Sequence, residues 1–283
     1  MTGTDLRQRL GAALGRTVAK MTPLSGGDIA PVFRLDFSAG EPLVAKTGTG
    51  LDIEAAMLKY LGARSDFPVP EVVHSQADLL VMTWIDNDGG APDPAAEAHA
   101  ADLVAALHNV SAPEYGFESA TLIGGLAQPN PWTPSWRAFF RDHRLLYMAG
   151  EAHRAGRLPT ATATRIERLA ARLDTWIANA GPPALIHGDL WGGNVLSKAD
   201  CIAGFVDPAI YYADAEIELA FSTLFSTFGN VFFGRYAEHR PIAPGFFEER
   251  RDLYNLYPLL VHVRLFGGGY VGRVDSTLAK FGV

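Results

Sequence analysis

Asp189, Asn194 and Asp207 have the side-chain types and the spacing that phosphoryl transfer asks for. They lie in ALIHGDLWGGNVL and, after a short hairpin, in IAGFVDPAIYY. The chemistry needs a carboxylate beside an acceptor hydroxyl and oxygen ligands that hold magnesium against nucleotide phosphates. The five-residue step from Asp189 to Asn194 lets one loop present a base and a metal ligand together, and a strand hairpin can return Asp207 to the same place as a second ligand. Glycines at 188, 192 and 193 permit the tight turns this requires. A polar turn beside a buried strand would use some of the same residues, but base, amide and second carboxylate occur together in the order the chemistry needs. His187 reads as a brace for the loop rather than as a proton carrier.

Further candidates lie upstream. Lys46 closes the strand run LVAK, and Glu54 lies one turn into the helix that follows. An ammonium there can hold the α- and β-phosphates of ATP while the carboxylate fixes its position. Gly26 and Gly27, at the first turn, would let backbone amides approach phosphate oxygens. Met82, Thr83, Trp84 and Ile85, in LVMTWID, either offer backbone groups to an adenine or form a buried strand, and the residues alone leave both readings open. Trp191 sits two residues beyond the candidate base on a glycine-rich loop, where an indole can wall a sugar site.

The elements that must position these groups follow from the apolar periodicity. Leu6, Leu10 and Leu14 fall on one side of a short helix over 5–15. Val32 to Phe37 and Leu43 to Ala45 predict paired strands around a Ser-Ala-Gly-Glu-Pro turn, and a helix from Asp52 stops before Pro68. DLLVMTWID suits a buried strand, and NDGGAPDP after it marks a lobe boundary near Asp86. Beyond it, helical spacing covers 97–108, 136–150, 162–179 and 249–265, interrupted by strand-like pieces at 184–186, 195–196 and 202–206. The expected organisation is α+β: a β-rich nucleotide-binding lobe over residues 1–86, and a larger, mainly helical lobe over 87–283 carrying catalysis and the acceptor.

Composition narrows the function. With 283 residues, 24 Lys plus Arg and 31 Asp plus Glu, the net charge of -7 lacks the basic excess that nucleic acid or an anionic membrane would attract. The opening MTGTDLRQRL carries acids and amides where a signal peptide would be apolar, and no stretch is long enough to span a bilayer, so a cytoplasmic setting is expected. The single cysteine, Cys201, reads as a small buried apolar residue.

HGDLWGGN resembles the catalytic loop of the fructosamine kinase family, within the aminoglycoside phosphotransferase and choline kinase-like group. Dispersed segments extend the resemblance over nearly the whole chain: SGGDIAPVFRL, IGGLAQPNPWTPSWRAFFRDHRL, FVDPAIYYADAEIELAFSTLF and YNLYPLLVHVRLFGGGY. The resemblance implies a protein-kinase-like two-lobe fold and transfer of the ATP γ-phosphoryl group to a sugar hydroxyl of a ketosamine, for example the 3-hydroxyl of a fructosamine. It implies ATP and Mg2+ as cofactors and a small sugar-amine as partner.

Several positions depart from the family. Glu218-Leu219-Ala220 stands where relatives commonly have Asp-Leu-Ala, and Pro258, Val261 and Arg264 where they often have polar His or Asn. Ala30 follows GGDI without the usual polar residue, and the redox-active Cys of some relatives is missing from this loop. These changes leave an aminoglycoside or a choline-like alcohol as alternative acceptors, and a nucleotide-binding module without turnover as a reading of another class. Asp214, Glu216 and Glu218 could attract a cationic acceptor but read better as a solvated helix start.

Overall fold

The structure, a computed structural model, describes residues 3–24, 30–178 and 180–283. The central strands of the first part of the chain are buried on both faces. This part contains α1 (Gly3–Leu14), β1 (Val18–Pro23), β2 (Val32–Phe37), β3 (Leu43–Thr47), α2 (Leu51–Arg64), β4 (Val72–Gln76) and β5 (Leu79–Thr83). The strands form an antiparallel sheet in the order β1-β2-β3-β5-β4. Successive side chains leave opposite faces of a strand. Leu35, Leu43, Ala45, Leu79 and Val81 therefore pack with Leu6 and Leu10 of α1, whereas Val44, Leu80 and Met82 pack with Leu51, Ala55 and Leu58 of α2. Lys46, two residues after Val44, falls on the α2 side, and this brings it to Glu54.

The second part is mostly helical and surrounds the larger core. In order it holds α3 (Pro94–Leu107), β6 (Thr121–Ile123), β7 (Leu126–Gln128), α4 (Trp136–Phe140), α5 (Tyr147–Arg154) and α6 (Thr160–Ala170). Four short strands follow, β8 (Ala184–Ile186), β9 (Val195–Lys198), β10 (Cys201–Phe205) and β11 (Tyr211–Ala213). The chain then runs through α7 (Glu216–Leu224), α8 (Asn230–His239), α9 (Arg251–Phe266) and α10 (Tyr270–Lys280). A π-helical stretch, Arg141–Leu146, joins α4 to α5. β8 pairs with β11 and β9 with β10, so the loop leaving β8 and the loop leaving β10 both run between the same two ribbons. That topology brings the segments of Asp189 and Asp207 together.

Four details differ from the sequence reading. The helix expected over 162–179 stops at Ala170 and is followed by a short 3-10 turn, Leu173–Thr175; Asn179 lies outside the described residues. The short ribbons at β6, β7 and β11 have too few residues to show a period. Cys201 is exposed, because it starts β10 beside the turn from β9. The acids at the start of α7 are not a solvated helix start: Asp214 and Glu218 are buried, and Glu216 is paired with Arg250 at 2.6 and 2.7 Å. Among the described residues no helix is long and apolar enough to cross a membrane.

Direct contacts tie the two parts together. Phe205 N donates to Pro68 O at 2.8 Å, and Lys198 is ion-paired with Asp86. The hydroxyls of Tyr60 on α2 and Tyr212 on β11 are hydrogen-bonded at 2.9 Å, with the Tyr60 ring edge-on to Phe117 at 4.7 Å. Tyr60→Phe keeps the ring contact and removes the phenol pair. It is expected to cost about 1 kcal/mol in urea unfolding, and an unchanged midpoint would show that the pair does not hold α2 in place.

Candidate active site

Each ribbon ends at the site, and the loop from β8 carries most of it. Gly188 has φ +84, and a Cβ there would lie 2.1 Å from the Ala209 carbonyl oxygen, so only glycine lets this loop pass the segment before β11. His187 is fully buried. Its Nε2 bonds the Val206 carbonyl at 3.0 Å and its Nδ1 accepts from Asp189 N at 3.3 Å, so the neutral ring with the proton on Nε2 clips the two loops together. Burial lowers its pKa, in keeping with a neutral brace.

Asp189 is half-buried, and Asn194 Nδ2 donates to its backbone oxygen and to its Oδ2, both at 2.9 Å. This use of the amide nitrogen fixes the flip of Asn194 and leaves Oδ1 as the atom it could offer to a cation. Burial, with the Asp207 carboxylate nearby, pushes the Asp189 carboxyl up to about 7 against the Asn194 hydrogen bond. Asp207 has φ 56, a left-handed conformation that is uncommon outside glycine and is held here by the flanking contacts of Val206 and Ala209.

Lys46 is buried and bridges two acids: Nζ donates to Glu54 Oε1 at 2.7 Å and to Asp207 Oδ1. Burial opposes its charge, but the Asp207 and Glu54 carboxylates outweigh that and hold its pKa above the ordinary lysine value. Burial raises the Glu54 carboxyl, and Lys46 only partly offsets it.

These groups line one cleft of about 830 Å³ between the sheet and the helical part. Met82, Thr83, Trp84 and Ile85 line it at the crossing between the two parts. Met82 is paired in the sheet with Val44 and Val72, Thr83 exchanges hydrogen bonds with Glu71, and Ile85 O accepts from Asn87 Nδ2 at 3.0 Å. Trp191 also lines the cleft, and its ring lies over Gly193, where a Cβ would come within 2.3 Å of the indole. The structure thus brings together Lys46, Glu54, Asp189, Trp191, Asn194 and Asp207; Gly26 and Gly27 lie outside the described residues. Of the three family departures on α9, only Val261 lines this cleft.

Sequence reasoning missed the support under the loop. Glu218 Oε1 accepts from Gly188 N at 2.6 Å, and Oε2 accepts from His187 N at 3.1 Å and bonds His108 Nε2 at 2.9 Å. His108 Nδ1 in turn meets the Tyr236 hydroxyl at 2.8 Å. Burial penalises the Glu218 charge, but His108, His187 and the Gly188 amide hold its pKa below the ordinary glutamate value. The only signal in the sequence was an acid inside an apolar helix, IELAF, where a solvated face was the simpler reading.

The donor set suits a hard cation. Asp207 and the Asn194 amide offer oxygen donors, and magnesium is commonly held by one or two carboxylates with the remaining positions filled by substrate phosphates and water. Among the described residues no cluster of three His, Cys, Asp or Glu forms a complete protein cage.

A sheet capped by α1 and α2 over a helical lobe, with a cleft between them, is the protein-kinase-like architecture. The fold matches that of an aminoglycoside phosphotransferase crystallised with ADP and hygromycin B (TM-score 0.67, 17% identity, 97% of this chain and 98% of that one). The chain belongs to the fructosamine kinase family, which it matches over residues 4–281. It is 36% identical over 236 residues to a probable ketoamine kinase of Synechocystis sp., covering 80% of this chain and 77% of that protein. A crystal structure of a Thermobifida fusca protein assigned as a fructosamine-3-kinase superposes over both full chains with a TM-score of 0.85 at 30% identity. The resemblance read from HGDLWGGN is borne out, as is the two-lobe fold.

Glu218→Gln replaces a carboxylate that accepts three hydrogen bonds by an amide with one acceptor oxygen. The variant is expected to lose about 1–3 kcal/mol at neutral pH. Because the folded pKa is depressed, Glu218 adds stability above its unfolded pKa and loses it as pH falls through the folded value. The wild-type advantage over the variant, followed by urea unfolding, should therefore shrink as the pH is lowered; a constant difference would exclude an ionised Glu218.

Proposed function

We propose that this protein is an ATP- and Mg2+-dependent kinase that transfers the γ-phosphoryl group to a sugar hydroxyl of a ketoamine. The observation that carries this reading is the convergence of Lys46, Asp189, Asn194 and Asp207 on one cleft. The family's phosphotransferase chemistry and the ketoamine kinase relatives support it. Residues 1–86 serve as the nucleotide lobe and 87–283 as the catalytic and acceptor lobe.

Each residue has a defined task. Lys46, held by Glu54, neutralises nucleotide phosphate oxygens. Asn194 and Asp207 hold magnesium, which when bound withdraws charge from the phosphates. Lys46 also touches Asp207, the carboxylate that would hold the metal. Asp189 orients the acceptor hydroxyl and accepts its proton as the oxygen bonds to phosphorus, while the bond from phosphorus to the leaving ADP oxygen breaks. Trp191 closes one side of the sugar position, and Met82 to Ile85 border the adenine.

Asp189→Asn keeps the shape and removes the proton acceptor. Turnover is expected to fall by about 100- to 10,000-fold with nucleotide affinity retained; near-normal turnover in the folded variant would remove Asp189 from the role. Asp207→Ala should abolish magnesium-dependent ATP binding in calorimetric titration far more severely than Asp214→Ala. Asp214 instead accepts from Gly181 N and Glu216 N, and burial pushes its carboxyl up to about 6. Equal loss from both substitutions would mean that the metal ligand is misassigned.

A further inference from the structure

Beyond Trp191 the cleft continues as a run of touching rings. Trp191 meets Phe225 edge-on at 6.1 Å, Phe225 meets His262 at 5.0 Å, and His262 meets Phe266 at 5.7 Å and Tyr270 at 4.9 Å. The rings come from three places in the chain: the residue after α7, the last two turns of α9 and the first residue of α10. All of them line the same cleft as the catalytic carboxylates. Ser226, which follows Phe225, has φ 55, so the chain leaves α7 through a left-handed residue immediately beside the run.

The run ends in solvent. Phe266 is 51% exposed, more than any other exposed large apolar residue among those described, yet it contacts both His262 and Tyr270. A solitary exposed ring on a protein surface is ordinary, but rings in unbroken contact from a catalytic loop to solvent form a contiguous apolar surface of the kind that binds ligands.

The charge on this surface is as informative as its shape. The charged groups lining the cleft, Lys46, Glu54, Asp189 and Asp207, belong to the phosphate and proton-transfer end. The ring run has no carboxylate. His262 donates Nδ1–H to the Pro258 carbonyl at 2.7 Å, and burial lowers its pKa, which favours a neutral ring. Arg273 stands 5.8 Å from the Phe225 centroid and would repel a further positive charge. The run offers a polyamine no carboxylate to pair with, whereas a flat apolar group finds stacking partners.

We propose that Phe225, His262, Phe266 and Tyr270 form a subsite for the amine substituent of the acceptor, selecting ketoamines whose nitrogen carries an aryl or similarly apolar group. This rests on the ketoamine reading above, with the sugar held between Asp189 and Trp191 and its substituent running outward along the rings.

The test compares two ketoamines that share one sugar, the benzylamine adduct and the methylamine adduct, by steady-state kinetics at saturating Mg-ATP and by calorimetric binding. For the wild type, KM for the benzyl adduct is expected about tenfold below that for the methyl adduct, an aromatic contact of about 1.4 kcal/mol. In Phe266→Ala and Tyr270→Ala the ratio should fall to within about twofold, the residue of ordinary transfer terms. Phe247→Ala, which removes an exposed ring that contacts Phe233 and Phe246 and lies outside the cleft, should keep the wild-type ratio. Equal KM values in the wild type, or a ratio unaltered in both ring variants, would overturn the subsite while leaving the ketoamine reading standing. If neither adduct binds or is phosphorylated, the ketoamine reading itself fails and the subsite fails with it.

Discussion

The site depends on a buried carboxylate that takes no part in the chemistry. Glu218 sits beneath the turn at His187 and Gly188 and accepts both of their amide hydrogens, while His108 meets its outer oxygen. A loop whose glycine has a left-handed φ and whose backbone passes within Cβ distance of the Ala209 carbonyl has few intrinsic preferences to hold it in place. Its conformation is set by what its amides bond. An ionised acceptor supplies stronger hydrogen bonds than a neutral one, and burial makes leaving them unmade costly. Through this anchor α7 positions the loop, α3 contributes His108, and α8 contributes Tyr236, so three helices of the large lobe bear on the geometry of Asp189.

Above the loop the electrostatics are arranged around one ammonium. Lys46 comes from a sheet, Glu54 from the helix packed on that sheet, and Asp207 from the other lobe. The cation is therefore one place where the two lobes meet in charge, Lys198 with Asp86 being another, and Tyr60 and Tyr212 join them through a neutral pair. Placing Asp207 in a left-handed backbone conformation costs energy, and the contact with Lys46 and the adjoining hydrogen bonds oppose that cost.

How much of this was legible in the sequence varied with the type of signal. Asp189, Asn194, Asp207 and Lys46 could be singled out because phosphoryl transfer asks for fixed residue types in a fixed order, and the small-lobe strands and the long helices were readable from period. Glu218 was not, since an acid near a helix start is usually solvated, and only the tertiary fold reveals that this one faces the catalytic loop. Cys201 misled in the other direction, because a habit of burial says nothing about a residue placed at a turn. The ring run escaped for a third reason: Phe225, the His262 and Phe266 pair of α9, and Tyr270 belong to separate segments, and the packing of α7, α9 and α10 is what joins them.

The central claim concerns the bond that is made, so the most direct measurement is to locate phosphorus in the product. The purified protein would be incubated with Mg-ATP and a fructosamine, and the mixture followed by phosphorus NMR with proton correlation. The account predicts one ADP per phosphomonoester formed, with phosphorus coupled to a sugar carbinol proton and the amine unmodified. Release of inorganic phosphate alone, or phosphorus on the nitrogen, would contradict it.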